Sequence, residues 1–434
     1  MCDWATARLA GVLWGSKVGW IALLLSCGST WQWFCATRTF SSSMETAVTA
    51  VALSAWPWTW AAGSRGFGRE RKDLRIALAL AGVACLLRPT NVLIWVILGA
   101  FALWNNPQKR TVFVLEATWI GFANPPPRRL NPRCRSNLSR SSGLLGLNAL
   151  LDHWYYGHWT FPPLTFIRHN LHQNIASLYG INDWHYYLSQ GLPLLTTFYL
   201  PLTLCALYTS LRPLRPSSPS FQLASTVTTV TALYSLISHK EVRFLFPLLP
   251  LLHALAAKAW LKTSFLSRRT KRALLGLMIA LNAVPAYYGA FVHQRGVLDV
   301  IAHLRDTDSA WESAGFLMPC HSTPWKSTLA LPGSEKKMWA LGCEPPVDVP
   351  LEQREAYVDE ADEFYQDMRG FVREVVGERY GWPDRLVVFE GAAKELDGLL
   401  GGQRGYKECW RGWNSHWHDD GRRKGDVLVF CRGG

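Results

Sequence analysis

Ten cysteines occur among the 434 residues, yet no Cys-x-x-Cys pair is present, which removes zinc ribbons and thioredoxin-type chemistry. A glycine-rich phosphate loop is also missing, since the stretch 63–68 that comes nearest sits in a strongly basic connection. The amino terminus, Met1-Cys2-Asp3-Trp4, has no basic piece leading into an apolar one, so no cleaved signal peptide is expected. Beyond about residue 295 no apolar run is long enough to cross a bilayer. Acidic residues are scarce before that point. Of the formal charge of +13, residues 1–300 carry about +19 and the remainder about −6. That excess gathers on no soluble face, so a nucleic-acid partner is not expected.

What the chain does have is a series of long apolar runs in its first two thirds. Candidate spans are 17–36, 44–62, 76–88, 91–105, 111–123 continuing at 143–152, 191–211, 221–237, 243–260 and 273–292. The 22 tryptophans suit an interfacial aromatic belt. These features predict an α-helical polytopic membrane body over 1–292 and a soluble domain over 293–434. Leu386–Phe389 and Val427–Phe430 read as short buried strands, so the second domain is expected to be a small α/β unit. Its Cys320, Cys343, Cys409 and Cys431 allow one or two disulfides if the compartment is oxidising, with the pairing left open. The basic, proline-rich segment 124–142 fits no transmembrane helix and reads as an irregular insertion.

Positive-inside asymmetry sets the expected topology. The connections 63–75, 106–110, 212–220 and 261–272 hold the Lys and Arg clusters and are assigned to the cytosol. The residues around Arg38, the Arg88-Pro89-Thr90 bend, the aromatic segment 153–190, His239–Arg243 and the carboxy-terminal domain then share the opposite face. Among these, Ser238-His239-Lys240-Glu241-Val242-Arg243-Phe244 stands out. It sets a dense group of ionisable side chains between two apolar runs, where each is costly unless it serves a site or reaches an interface.

At these residues the chain resembles the GT-C glycosyltransferases of family 22, the dolichol-phosphate-mannose-dependent mannosyltransferases of the endoplasmic reticulum. His239-Lys240-Glu241-Val242-Arg243-Phe244, Arg38-Thr39-Phe40-Ser41…Glu45-Thr46 and Arg88-Pro89-Thr90 look like three of its signatures. Tyr155–Pro163, Tyr179–Pro193, Phe316–Pro324, Cys343–Pro346 and Asn414–Asp420 resemble the branch that adds the third mannose of glycosylphosphatidylinositol (GPI). The resemblance implies an endoplasmic reticulum membrane enzyme of GT-C type with a luminal carboxy-terminal domain. It further implies α-1,2 transfer with inversion, a dolichol-phosphate-mannose donor, a GPI glycolipid acceptor, and neither cofactor nor metal. Two other readings stay open. One is a related mannosyltransferase acting on the N-glycan precursor or adding the fourth GPI mannose; the other is an amino-terminally truncated, inactive membrane scaffold.

Inverting transfer needs a carboxylate to take the acceptor proton and cationic or hydrogen-bonding groups at the departing phosphate. His239, Lys240 and Arg243 are the phosphate-side candidates, with Glu241 orienting Arg243 or His239 or binding a sugar hydroxyl. Arg38, Glu45 and Arg88 are further binding candidates, although Glu45 also suits a helix start. Trp184 and His185 are candidates for contact with a sugar ring, although the aromatic residues of 153–190 also suit anchoring at the membrane interface. The family carries an Asp-Glu pair in a first luminal loop, and that Asp is taken as the base. No such pair precedes Arg8-Leu9 here, so an incomplete gene or an inactive product is expected, with Asp152 and Asp183 as substitute bases. His416, His418, Asp419 and Asp420 are metal-capable by type, but the Arg422-Arg423-Lys424 run beside them favours a solvated loop.

Overall fold

The computed structural model describes residues 1–36, 38, 40–58, 67–122, 143–172, 180–307, 310–329, 335–346, 349–418 and 420–433. Segment 124–142, read from the sequence as an insertion, lies outside them. The chain forms two compact units, Met1–Ala286 and Tyr287–Gly434.

Helices make up the first unit. One of them, Cys2–Trp14, escaped the hydropathy reading because Asp3, Thr6 and Arg8 interrupt its apolar residues. At Gly15 (φ 93°) the chain folds back into Ser16–Cys27. A left-handed residue at that turn favours glycine. The two backbones then pack closely. A Cβ built on Gly19 would lie 2.8 Å from the Ala7 carbonyl oxygen and 3.2 Å from the Gly11 Cα. The expected span 17–36 is divided into Ser16–Cys27 and Thr30–Ala36.

Leu249–Lys262 stands at the centre of this unit, with nearly every residue from Leu249 to Ala257 buried. Helices Cys2–Trp14, Ser16–Cys27, Leu200–Leu211 and Pro219–Ser235 pack around it. The expected span 243–260 is not a uniform helix. Pro247 and Pro250 lack the N–H that regular turns require, and the chain enters through a 3-10 stretch, Val242–Leu248. The ionisable motif is thereby held at the end of the central helix. Helices Phe67–Leu87 and Arg110–Phe122 are joined by a buried carboxylate. Glu116 accepts from Arg71 Nε at 2.5 Å and from Arg75 Nε at 2.6 Å. By length and composition, Tyr187–Leu211, Val242–Lys262 and Arg268–Asp306 can cross a membrane.

The second unit is built on a five-stranded sheet in the order β2-β1-β3-β5-β4. The strands are β1 (Ser313–Leu317), β2 (Lys337–Ala340), β3 (Arg385–Phe389), β4 (Tyr406–Gly412) and β5 (Val427–Arg432). β1 runs parallel to both β2 and β3, whereas β5 is antiparallel to β3 and β4. The two segments read as strands are the neighbours β3 and β5. Their near-continuous apolar sequence follows from burial on both faces. Leu386, Val388, Leu428 and Phe430 join Phe364, Val372 and Leu396 on one side. Val387, Phe389, Val427 and Val429 join Val300, Ile301 and Leu304 on the other. Disulfides Cys320–Cys343 and Cys409–Cys431 resolve the open pairing.

The contact at Gly19 is testable. Gly19→Leu should force the first two helices apart and destabilise the protein by about 1–3 kcal/mol. Gly276→Leu, with nothing within 4 Å of its Cβ position, serves as control. Thermal unfolding in detergent checks this: the Gly19 variant should melt several degrees lower and the control close to the parent.

Candidate functional site

Three segments far apart in sequence meet at one end of the helical unit. Glu45 lies in the first turns of Ser41–Ala55 and is buried, with 2% of its surface exposed. An unpaired charge there would be costly. Two partners come from the bend before helix Val92–Asn105. Asn91 Nδ2 donates to Glu45 Oε1 at 2.8 Å, and Arg88 Nε lies 3.4 Å from Glu45 Oε2. Asn91 is itself fixed, donating to Thr49 Oγ1 at 3.0 Å and accepting from Trp95 Nε1 at 2.7 Å.

The third segment is the motif ahead of the central helix. Phe244 joins it to the other two, because the Arg88 guanidinium sits 5.0 Å above its ring and the His239 ring lies 5.8 Å away. Tyr234, at the end of Pro219–Ser235, packs against Phe244 and donates to the Thr90 carbonyl at 3.3 Å. On the other side of the motif, the Arg243 guanidinium lies 5.8 Å from the Phe40 ring.

Within the motif, Glu241 holds both of its cationic neighbours. Arg243 Nη2 donates to Oε1 at 2.7 Å while its Nε pairs with Oε2. His239 Nε2 lies 3.0 Å from the same Oε1, and its Nδ1 meets the Gly180 carbonyl at 2.9 Å. Burial opposes ionisation of Glu241. The hydrogen bonds and charges of Arg243 and His239 outweigh that penalty and hold its carboxyl below the ordinary range. This end of the bundle therefore presents two arginines whose positions are set by carboxylates, with an imidazole beside them.

The remaining sequence candidates distribute unevenly. Lys240, expected to face phosphate, is buried. Its ammonium donates to the Asn182 carbonyl at 2.6 Å while Asn182 Nδ2 returns a bond to the Lys240 carbonyl at 2.9 Å. It works in this structure as a tie between two segments, since a buried ammonium needs an acceptor. Arg38 is exposed and lies over the Phe34 ring at 4.2 Å. Its backbone N–H donates to the Cys35 carbonyl at 3.1 Å, which also accepts from Ser43 Oγ at 2.7 Å, so Arg38 lies beside the start of the helix that carries Glu45. Trp184 and His185 are exposed on the turn after Asn182, with His185 Nε2 3.5 Å from Asp183 Oδ2. Asp152 accepts from Asn148 in its own helix at 2.6 Å. Among the described residues, no hydrogen bond or ion pair joins Asp152, Trp184 or His185 to the Glu45–Arg88 pair. His418 accepts from the Gly425 backbone and Asp420 binds Arg422; Asp419 lies outside the described residues.

Phe40 and Phe244 lie inside two of the sequence motifs without a role of their own there, and Asn91 and Asn182 carry no role in the sequence pattern. Asn91 carried a signal, being an amide placed between a proline bend and a strongly apolar helix.

Two measurements probe this arrangement. Arg88→Ala leaves Glu45 buried beside Asn91 alone, a loss of about 3–5 kcal/mol. The double variant Arg88→Ala/Glu45→Gln should recover part of it, as a double-mutant cycle of unfolding would read. Glu241 supplies the pH test. Its folded pKa is depressed, so its contribution is complete above the ordinary glutamate value of about 4.3 and is lost as pH falls through the lower folded value. A thermal-stability profile should show no loss from this group between pH 8 and 5. Glu241→Gln should remove its pH-dependent contribution.

The sequence pattern of the Alg9-like mannosyltransferase family matches residues 1–330. GPI mannosyltransferase 3 of Aspergillus fumigatus is 36% identical over 99% of this chain and 64% of its own length. The proteins of that name from Yarrowia lipolytica and Candida albicans are 35% and 32% identical, over 98% and 96% of this chain and 77% and 76% of theirs. The chain thus spans about two thirds to three quarters of these relatives. Among solved structures, ArnT from Cupriavidus metallidurans in the apo state superposes with a TM-score of 0.55 at 11% identity, covering 99% of this chain and 81% of that one. Its undecaprenyl phosphate-bound form gives 0.52 at 12%, with the same coverage. At such identity the likeness shows the fold alone. With residues 1–330 matched and relatives above 30% identity along nearly its whole length, the chain belongs to the Alg9-like mannosyltransferase family.

Proposed function

We propose that this chain transfers a mannose from dolichol-phosphate-mannose to the third position of the GPI glycan, at the luminal face of the endoplasmic reticulum membrane. The observation that carries the reading is the convergence of Glu45–Arg88, Phe244 and His239–Glu241–Arg243 at one end of the helical unit. The basic connections 63–75 and 261–272 fit the cytosolic side. The two disulfides of the second unit fit an oxidising lumen. The names of the fungal relatives supply the acceptor and the step.

In this reading the donor's phosphate lies against Arg243 and His239, with Arg88 behind them. Charge builds on the departing phosphate as the anomeric bond breaks, and fixed guanidinium donors stabilise it most when they need no reorientation. Glu241 supplies that fixation by holding Arg243 and His239 together. The donor carries its own activated phosphate, so no cofactor is required. Asp183 is the better placed of the two substitute bases. It is exposed beside His185, on the segment tied to the motif by Gly180 and Asn182, whereas Asp152 is committed to Asn148.

Complementation of cells lacking the third-mannose step tests the proposal. The chain should restore surface GPI-anchored proteins, and His239→Ala or Glu241→Ala should abolish the restoration. Asp183→Asn should lower transfer at least tenfold in microsomes supplied with labelled dolichol-phosphate-mannose. Failure of the parent chain to restore anchoring, or restoration by His239→Ala, overturns the reading.

A further inference from the structure

The strand order of the second unit reverses at β1, which has β2 on one side and β3 on the other, both parallel to it. In open parallel sheets, ligands bind at the carboxyl ends of the strands beside such a reversal. Three segments that the proposed transfer leaves unused come together at this edge. The loop Pro319–Pro324 leaves β1, Cys343 and Glu344 follow β2, and the turn Gly421–Arg423 precedes β5, which is antiparallel and so enters from the same edge. The disulfide Cys320–Cys343 links the first two, and Arg423 Nη2 donates to the Cys320 carbonyl at 3.4 Å. Helix Glu360–Gln366 lies across this edge. Glu360 accepts from the Gly342 N–H at 2.5 Å, and Asp362 from Arg422 Nη1 at 2.5 Å.

The polar groups here are unequally satisfied. Arg422 is committed to Asp420 and Asp362, and Glu360 to Gly342, Arg379 and Tyr380. In contrast, Arg423 Nε, the Tyr365 hydroxyl and Thr323 Oγ1 are buried atoms without a hydrogen-bond partner. Burial pushes the Tyr365 phenol well above its ordinary range, with the charges of Arg422, Asp420 and Arg423 acting on it as well, so it remains a donor. Buried donors without acceptors carry an uncompensated desolvation cost. An anion with several acceptor oxygens would relieve that cost, and a guanidinium beside hydroxyl donors suits a phosphate.

We propose that the edge formed by the Cys320–Cys343 loop, Arg423, Tyr365 and Thr323 is a phosphate-ester binding site, separate from the cluster around Glu241. Arg423 provides the charge, while Tyr365 and Thr323 donate to the remaining oxygens. The disulfide holds the loop that carries the Cys320 carbonyl and Thr323. The ligand is either a small soluble phosphate ester or the phosphate of a lipid headgroup.

Calorimetric titration of the full chain in detergent separates these sources, using glycerol 3-phosphate in one arm and dioctanoyl phosphatidic acid in the other. Saturable binding in either arm that weakens at least tenfold in Arg423→Gln and severalfold in Tyr365→Phe supports the site. Binding in the lipid arm alone assigns the headgroup source. Tyr365→Phe retains the ring and its packing, so its effect is not one of folding. Absence of binding in both arms, or binding unchanged by both substitutions, overturns the proposal. Because the readout is binding rather than mannose transfer, its failure is distinct from failure of the transferase reading.

Discussion

A carboxylate sunk into an apolar helix bundle has to be met by donors, and that requirement at Glu45 organises one end of the helical unit. Arg88 and Asn91 come to it from the bend before the next apolar helix, and Asn91 in turn holds Thr49 and Trp95. Because Arg88 also rests on the Phe244 ring, the buried pair reaches the third segment without another charge. The cation–π contact is worth about 0.5–2 kcal/mol, less than the cost of leaving the carboxylate unpaired. Pairing therefore dictates where the arginine goes, and the aromatic ring follows it.

The motif beyond Phe244 depends on the central helix. Pro247 and Pro250 keep the chain at Val242–Leu248 from continuing as a regular turn, so the residues before them emerge at the end of the bundle. Glu241 then gathers His239 and Arg243, and Lys240 turns the other way to anchor Asn182. Neighbouring residues of one motif thus do different work. Two are held by a carboxylate, one ties the backbone, and one sets the geometry of the rest.

The second unit solves another problem. It is small and lies largely outside the apolar runs, so its stability comes from a sheet buried on both faces and from two disulfides that close loops. Its parallel strands leave a reversal point at β1. The loop after β1 and Cys343 carry two of the segments that the sequence marked as motifs, and Arg423 and Tyr365 join them only in the folded unit.

Much of this was legible in the chain. Apolar runs fixed the helical character of the first unit, the HKEVRF and RPT motifs marked two segments that meet at one of its ends, and Leu386–Phe389 with Val427–Phe430 announced the sheet. These signals are local, arising from hydropathy, periodicity and residue type within a few positions. The short helix Cys2–Trp14 was missed because polar residues break its apolar pattern. The roles of Asn91, Asn182 and Phe244 were decided by tertiary structure alone. A hydrogen bond or a ring contact depends on which side chain stands opposite, and residues 45, 88 and 244 become neighbours only once the helices pack. The sequence by itself settled which residues carry charge at an apolar boundary, whereas folding settled which of those charges meet one another and what holds each in place.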